Sequence, residues 1–180
     1  MNPSTAMARV IVDELVSGGV TEVVLSPGSR SAALAIALAD AEDRGDLRLH
    51  VRVDERSAGF LALGLAKVAR QPVAVVVTSG SAVANLAPAM VEASYAGVPV
   101  IALTADRPPE LRDTGANQTI EQSDFFHDAV RWSHDLAVAE ERVGQVRYWR
   151  SVVSRAIAVS AESADPGPVH VNVAFRDPLV

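Results

Sequence analysis

Residues 72–81 read Pro-Val-Ala-Val-Val-Val-Thr-Ser-Gly-Ser and predict a buried β-strand that ends in a polar turn. An aliphatic run without polar residues is typical of a strand covered on both faces, as in parallel sheets. The sequence from residue 81 to residue 96 then predicts a helix. A strand, a glycine-containing turn and a helix together form the unit from which parallel α/β folds are built.

The same alternation extends in both directions along the chain. Strands are expected at 22–26, 47–53, 72–78, 99–105, 133–138 and 168–174, and helices at 4–17, 30–42, 55–70, 81–96 and 142–161. Ser4 or Thr5 is the expected N-cap of the first helix, and Asp54 that of the third. This order predicts one α/β domain over residues 1–180, a three-layer α/β/α structure with a parallel sheet of about six strands.

Residues 106–128 lack any periodicity, and a connection of this length is usually functional or disordered. Phe125 and Phe126 indicate that it folds back onto the core.

Composition excludes several kinds of partner and chemistry. Hydrophobic residues make up 49% of the chain but aromatic residues only 4%, so we expect an aliphatic core. A net charge of −6 without blocks of like charge argues against nucleic acid binding. The absence of cysteine excludes disulfides and thiolate chemistry. No secretory signal is apparent, and the longest apolar run, residues 32–39, is far shorter than the roughly 20 residues that span a bilayer, so we expect a cytoplasmic protein.

Four polar loops, at residues 26–30, 54–56, 78–81 and 104–109, follow predicted strands. The carboxyl ends of parallel strands share one edge of the sheet, where open α/β folds bind ligands. The loop ending at Arg30 could bind an anion through helix amides and a guanidinium, although the motif alone favours an ordinary serine-capped turn, which is common. Arg107 precedes two prolines, and either an anion or a surface salt bridge would explain it.

Glu55 lies in the first turn of its predicted helix. On that helix, Gly59, Ala62 and Ala66 form a small-residue face that would admit a ligand or a second subunit. A carboxylate beside such a crevice could bond to a heterocyclic nitrogen, whereas a simple interaction with the helix dipole is the alternative. The turn at 78–81 could form a backbone cradle but lacks the lysine of a P-loop. The four histidines show no metal-ligand spacing, and we expect them to be structural and no metal to bind.

Five motifs occur in an order that resembles one family: Ser26-Pro27-Gly28-Ser29-Arg30-Ser31, Asp54-Glu55-Arg56, Thr78-Ser79-Gly80-Ser81, Ala105-Asp106-Arg107-Pro108-Pro109-Glu110 and Gly115-Ala116-Asn117-Gln118. Over residues 7–178 the chain resembles the N-terminal, pyrimidine-binding domain of the MenD family, the thiamine-diphosphate-dependent synthases of menaquinone biosynthesis. The last two motifs distinguish this family from other thiamine-diphosphate enzymes.

The resemblance implies an enzyme that decarboxylates 2-oxoglutarate and adds the remaining unit to isochorismate. It implies that Glu55 is catalytic and bonds the pyrimidine ring of the cofactor, which activates the thiazolium carbon. It places Thr78, Ser79 and Gly80 beside the cofactor. The residues it places at the isochorismate site are Ser29, Arg30, Arg107, Asn117 and Gln118.

The Gly-Asp-Gly motif that holds the diphosphate through Mg²⁺ or Mn²⁺ in such enzymes is missing, since Gly45-Asp46 is followed by Leu47. We therefore expect the metal to bind outside this chain, which would be the N-terminal part of a longer polypeptide and inactive alone. In the family a second subunit completes the active site, so a homo-oligomer is expected. The alternatives are a domain of another thiamine-diphosphate lyase, similar to acetolactate synthase, or a non-catalytic α/β binding domain.

Overall fold

A parallel sheet forms the centre of the computed structural model, which describes residues 2–180. Its six strands are β1 (Glu22–Leu25), β2 (Arg48–Val51), β3 (Val73–Val77), β4 (Val100–Asp106), β5 (Trp132–Leu136) and β6 (Val169–Ala174). They lie in the order β2-β1-β3-β4-β6-β5, and every neighbouring pair is parallel. The short strand β2 lies at one edge and is only partly buried.

Helices cover both faces of this sheet. They are α1 (Pro3–Ser17), α2 (Ala32–Asp43), α3 (Glu55–Ala69), α4 (Ser81–Ala84), α5 (Ala87–Ala96) and α6 (Gln145–Ser160). One core joins α1, α2 and α6 to the sheet, and the other joins α3, α4 and α5 to its opposite face. The predicted three-layer α/β/α fold is confirmed. Within residues 2–180, no helix combines the length and apolar character needed to cross a membrane.

Side-chain caps explain where two of the helices begin. Asp54 caps α3 as predicted, and its Oδ1 accepts a hydrogen bond from the Ser57 amide at 2.6 Å. The predicted cap of α1 is wrong: Asn2 takes this role, accepting from the Thr5 amide at 2.7 Å. With Pro3 in the first turn, where its missing N–H costs no hydrogen bond, the preceding asparagine is the favoured cap.

The single helix expected at 81–96 is two helices, α4 and α5. Pro88 lies in the first turn of α5, and Asn85 and Leu86 separate it from α4. Proline lacks an amide hydrogen and clashes with the preceding turn, so it favours the start of a new helix over the continuation of an old one. The helix expected at 142–161 begins later, at Gln145, after Gly144 in the left-handed region at φ 93°.

The small-residue face of α3 packs within the chain. A Cβ atom on Gly59 would lie 2.9 Å from Cβ of Ala89 on α5, and Ala62 and Ala66 are fully buried. The interpretation of this face as an opening for a ligand or a second subunit is therefore wrong. Its small side chains instead allow α3 to approach α5 closely.

The segment after β4 folds back onto the sheet, as its two phenylalanines indicate. Phe126 is 6% exposed and its ring packs edge-to-face on His170, with centroids 4.9 Å apart. Phe125 packs against Phe126 in the same way. These contacts fix one end of the segment 107–131 and bring its polar middle part over the carboxyl edge of the sheet.

Candidate functional site

The order of the strands reverses at β1, because β2 lies on one side of it and β3 on the other. Two of the motif loops meet between β1 and β3. Gly28 follows β1, and a Cβ atom in its place would overlap the side chain of Thr78, which follows β3. Only glycine permits this approach, because any side chain would push the loops apart. Open α/β sheets bind ligands in the crevice at such a reversal point.

Three predicted site residues, each from a different part of the motif set, are joined by hydrogen bonds. Nη1 of Arg107 donates to Oγ of Ser79 and, at 2.7 Å, to the carbonyl oxygen of Gln118. The Gln118 side-chain amide donates back to the Ser79 carbonyl at 3.0 Å, and the Ser79 hydroxyl donates to the Gln118 carbonyl at 3.1 Å. The segment around Gln118 thus lies directly over the turn that follows β3.

Backbone conformation makes this contact possible. Gly80 has φ 77° and ψ −138°, and a Cβ atom there would lie 2.8 Å from Cγ of Gln118. Gln118 itself has φ 55°, a conformation that non-glycine residues rarely adopt. Backbone strain of this kind tends to occur at functional sites, where the surrounding structure holds it.

Arg30 and Arg107 bring two positive charges to this edge. Nη1 of Arg30 donates to the Phe175 carbonyl at 3.0 Å and lies 3.6 Å from Asp177, which holds the guanidinium in place with 12% of its side chain exposed. Burial, and next the nearby charge of Arg30, lower the pKa of Arg107 from its ordinary value. Two neighbouring guanidinium groups favour an anionic ligand, and carboxylates match their geometry.

Glu55, half-buried at the start of α3, retains a nearly free carboxylate. Among the described residues it accepts one hydrogen bond, from the side-chain amide of Asn85 at a long 3.4 Å. A carboxylate so weakly bonded can accept strongly from a ligand N–H group or hold a proton shared with a ring nitrogen.

Ser29 and Asn117 are exposed, and neither side chain is hydrogen-bonded to another predicted site residue within residues 2–180. Ser31, next along the chain, uses its hydroxyl to bond the Gly28 carbonyl at 3.0 Å and does not cap α2. The hydroxyl of Ser79 and the amide of Gly80 are already engaged within the protein. The roles proposed for all the site residues therefore stay predictions.

A buried polar network beneath these loops was missed by the sequence analysis. It consists of Gln122, Asn172, Asp106, Thr104 and His170, none of which is more than 1% exposed. These residues lie on strands with apolar neighbours or in the non-periodic segment, so no sequence pattern marks them as a group. The sequence signal that exists is weak: polar side chains interrupting the otherwise aliphatic strands β4 and β6.

Two cavities lie away from this edge. One, of about 520 Å³, lies between α1 and α2, and another, of about 530 Å³, is lined by the C-terminal end of α3 and the turn before β4. A cavity of about 300 Å³ borders the segment 112–121. No group of three or more potential metal ligands occurs within residues 2–180. The candidate site is an open surface at the carboxyl edge of the sheet, where Ser29, Asn117 and Gln118 are exposed and Arg30, Arg107 and Glu55 are half-buried.

The parallel sheet, its two helix layers and the loops at its reversal point define an open α/β domain of the class that binds ligands at this edge. Residues 5–125 match the family model of the thiamine pyrophosphate enzyme N-terminal TPP binding domain, and the chain belongs to this family.

Among curated proteins, the chain is 61% identical to the 2-succinyl-5-enolpyruvyl-6-hydroxy-3-cyclohexene-1-carboxylate synthase of Saccharopolyspora erythraea, with all of the chain and 32% of that protein covered. It is 59% identical to the synthase of the same name from Thermobifida fusca, again covering all of the chain and 32% of the relative. For the Mycobacterium bovis synthase the identity is 56%, with all of the chain and 34% of the relative covered. The chain spans about a third of the length of these relatives. The resemblance to the MenD family is thereby confirmed.

Proposed function

We propose that this chain is the pyrimidine-binding domain of a thiamine-diphosphate-dependent 2-succinyl-5-enolpyruvyl-6-hydroxy-3-cyclohexene-1-carboxylate synthase, which uses 2-oxoglutarate and isochorismate. The observation that carries the proposal is the convergence of Arg30, Arg107 and Gln118 at the sheet edge where Glu55 begins α3. Isochorismate carries two carboxylates, which the paired guanidinium groups are suited to receive. Identity over the full chain to three synthases of this name supports the same assignment.

The residues present fit the aminopyrimidine part of the cofactor. Glu55 offers a carboxylate with one weak internal bond among the described residues, which suits a ring nitrogen. Thr78 lies against Gly28 where the loops after β1 and β3 meet, at the same edge of the sheet as Glu55. When bound, thiamine diphosphate supplies the nucleophilic carbon that adds to a 2-oxo acid and takes up the electrons released by decarboxylation.

The predicted site residues have separate tasks in the proposed reaction. Glu55 holds a proton at the pyrimidine nitrogen and so sets the tautomer of the ring. Arg30 and Arg107 bind and orient the carboxylates of isochorismate, while Asn117, Gln118 and Ser29 contact its polar groups. Thr78, Ser79 and Gly80 form the wall beside the cofactor.

The rest of the proposed enzyme lies outside this chain. We assign the site for the diphosphate and for Mg²⁺ or Mn²⁺ to the remainder of the polypeptide, because Gly45-Asp46-Leu47 does not match the required motif. A second subunit of a homo-oligomer would complete the active site over the open surface described above. Cytoplasmic localisation belongs to the same proposal.

The deciding experiment measures isochorismate consumption by the full-length protein with 2-oxoglutarate, thiamine diphosphate and Mg²⁺, comparing wild type with Glu55→Gln. We expect turnover in the wild type and a loss of at least about 10²-fold in the variant, the scale of general acid–base assistance. The melting temperature should be unchanged, since Glu55 makes one weak internal hydrogen bond among the described residues.

Glu162→Gln is the matched control, because it removes the same charge from an exposed position after α6, at the opposite edge of the sheet. It should retain wild-type activity. A wild-type protein that leaves isochorismate unconsumed would overturn the proposed substrate, and a fully active Glu55→Gln enzyme would remove Glu55 from the mechanism.

A further inference from the structure

Gln122 is a fully buried polar side chain that touches two loops of the candidate site. Its Oε1 accepts a hydrogen bond from the Gly80 amide at 2.8 Å. Its Nε2 donates to the Ala105 carbonyl at 3.2 Å and to Oδ1 of Asn172 at 2.9 Å. It thereby connects the turn after β3 to the carboxyl ends of β4 and β6.

The three partners require a carboxamide at this position. The Gly80 amide can only donate, so it needs an acceptor, whereas the Ala105 carbonyl can only accept and needs a donor. Glutamine has this length and offers both: its carbonyl oxygen accepts, and its NH2 group donates two hydrogen bonds. A carboxylate would keep the bond to Gly80 and lose both donors. An aliphatic side chain would remove all three bonds, and Oδ1 of Asn172 would keep only its bond from the Thr104 hydroxyl. Loss of hydrogen bonds to buried polar groups is costly.

The network continues from Gln122 to Arg107 and closes on itself. Nδ2 of Asn172 donates to Oδ2 of Asp106 at 2.9 Å, and Oδ1 of Asp106 accepts from the Arg107 amide at 2.7 Å. The Arg107 guanidinium then donates to Ser79, the residue next to Gly80. The ring Gly80–Gln122–Asn172–Asp106–Arg107–Ser79 therefore fixes the turn after β3 relative to the arginine that faces the ligand.

Gln118 is fixed by the same ring. It lies four residues before Gln122, and its side-chain amide donates to the Ser79 carbonyl at 3.0 Å. Its backbone is held at φ 55°, so it depends on its surroundings to stay in place. Buried networks in which every member is bonded are rigid and define one geometry, whereas loss of one member leaves several groups unsatisfied.

We propose that Gln122 is the positioning residue of the isochorismate site: it holds the turn 78–80 and the segment around Gln118 so that Arg107 and Gln118 face the ligand. The inference rests on the proposed function for the identity of that ligand. Gln122 is buried and makes no contact with substrate itself; it acts through Gly80, Asn172 and Asp106.

Hydrogen exchange on the full-length protein, without substrate, tests whether Gln122 holds the turn 78–80 and the segment around Gln118 in place. Gln122→Leu removes all three bonds with a side chain of similar size. We expect the Gly80 amide and the peptides over 112–122 to exchange at least about tenfold faster, because a buried bond is lost. Peptides from α1 should be unchanged. The control is Ser160→Ala, which removes a fully buried hydroxyl that bonds the Ile157 carbonyl at 3.0 Å, away from the site.

Steady-state kinetics test whether this positioning affects the binding of isochorismate. Gln122→Leu should raise KM for isochorismate at least about tenfold while KM for 2-oxoglutarate stays within about twofold, since loss of orientation at one ligand site weakens that ligand selectively. Ser160→Ala should change neither constant. A residue needed for folding alone would lower the active fraction, and with it the apparent kcat, without moving either KM.

Gln122→Glu provides an independent test if the leucine variant does not fold. Its carboxyl group keeps an acceptor for Gly80, and when protonated it regains one donor. Burial raises the pKa of a carboxyl group, so the ratio of variant to wild-type KM for isochorismate should rise as the pH increases from 6 to 8. A KM for isochorismate equal to the wild-type value at every pH in this range would overturn the proposal.

Other outcomes separate the two proposals. Unchanged exchange at Gly80 in Gln122→Leu, or faster exchange with both KM values unchanged, would overturn the positioning role. Wild-type protein without isochorismate turnover would overturn the proposed function instead, and the exchange result would then decide by itself whether Gln122 organises the loops.

Discussion

At the scale of single residues, Gly80 combines a backbone conformation and a close contact that both require glycine. It has φ 77° and ψ −138°, and a Cβ atom would approach Cγ and the carbonyl of Gln118 to 2.8 and 3.0 Å. We predict that Gly80→Ala destabilises the 1–180 domain by about 1–3 kcal/mol, the usual cost of a strained backbone conformation. Urea unfolding followed by circular dichroism measures this difference.

Gly64 provides the control for Gly80. It lies inside α3, where a Cβ atom would have no heavy atom within 4 Å. Gly64→Ala should therefore stabilise the domain by about 0.5–1 kcal/mol, because alanine loses less conformational entropy in a helix. Equal effects of the two substitutions would show that neither the conformation nor the contact at Gly80 matters.

Under the proposed function, Arg107 is the residue whose removal should weaken the binding of one substrate selectively. In the full-length enzyme, Arg107→Ala is expected to raise KM for isochorismate by about 10²-fold, the scale of a charged hydrogen bond, with a smaller effect on 2-oxoglutarate. Arg107→Lys keeps the charge but not the planar donor pair, so it should recover only part of the affinity. An effect confined to 2-oxoglutarate would reverse the assignment of this surface.

At the scale of the elements, the adjacent strands β4 and β6 bury a histidine side chain between them and the segment that covers the sheet. His170 on β6 is fully buried, and its Nε2 lies 2.7 Å from the Thr104 hydroxyl on β4. Since that hydroxyl donates to Oδ1 of Asn172 at 2.9 Å, it accepts from Nε2–H, which fixes the neutral tautomer. Burial lowers the pKa of His170 to about 4.

This lowered pKa predicts a dependence of stability on pH. The unfolded chain binds a proton on His170 near the ordinary pKa of 6.5, whereas the folded chain binds it only near pH 4. The free energy of unfolding is therefore highest above pH 6.5 and decreases as the pH falls towards 4. The full effect is about 3 kcal/mol, at 1.36 kcal/mol per pKa unit. Urea unfolding of the 1–180 domain at pH 7.5 and pH 5 should show most of it.

Two histidine variants locate the source of that dependence. His170→Gln removes the titrating group and should flatten the dependence on pH between 6.5 and 4. His127→Gln changes an imidazole whose side chain is 78% exposed and should leave the dependence as in the wild type. If the slope survives in His170→Gln, the acid sensitivity arises from other groups.

The elements themselves were largely predictable, because aliphatic runs such as 73–77 mark buried strands without reference to tertiary structure. The division between α4 and α5 is also marked in the sequence, because Pro88 favours the start of a new helix. Gln122 was not predictable: a glutamine in a polar, non-periodic segment looks solvent-exposed. Its burial depends on Asn172 and Ala105, which are 50 and 17 residues away.

At the scale of the whole molecule, we expect the chain to fold alone but, under the proposed function, to hold only part of an active site. Separate apolar cores cover the two faces of the sheet, so the 1–180 domain should fold cooperatively without further sequence. Glu55 and the two arginines lie on an open edge, and the diphosphate motif is missing from the sequence.

We therefore predict that purified 1–180, although folded by circular dichroism, shows no isochorismate consumption above the blank with 2-oxoglutarate, thiamine diphosphate and Mg²⁺. The physical reason is that holding the aminopyrimidine alone leaves the diphosphate and the 2-oxo acid unbound, and correct mutual orientation supplies several kcal/mol of the barrier reduction. The full-length protein, assayed at equal molar concentration, is the control and should turn over. Turnover by the isolated domain would mean that residues 1–180 contain a complete active site, and the diphosphate would then have to bind at the Arg30–Arg107 surface.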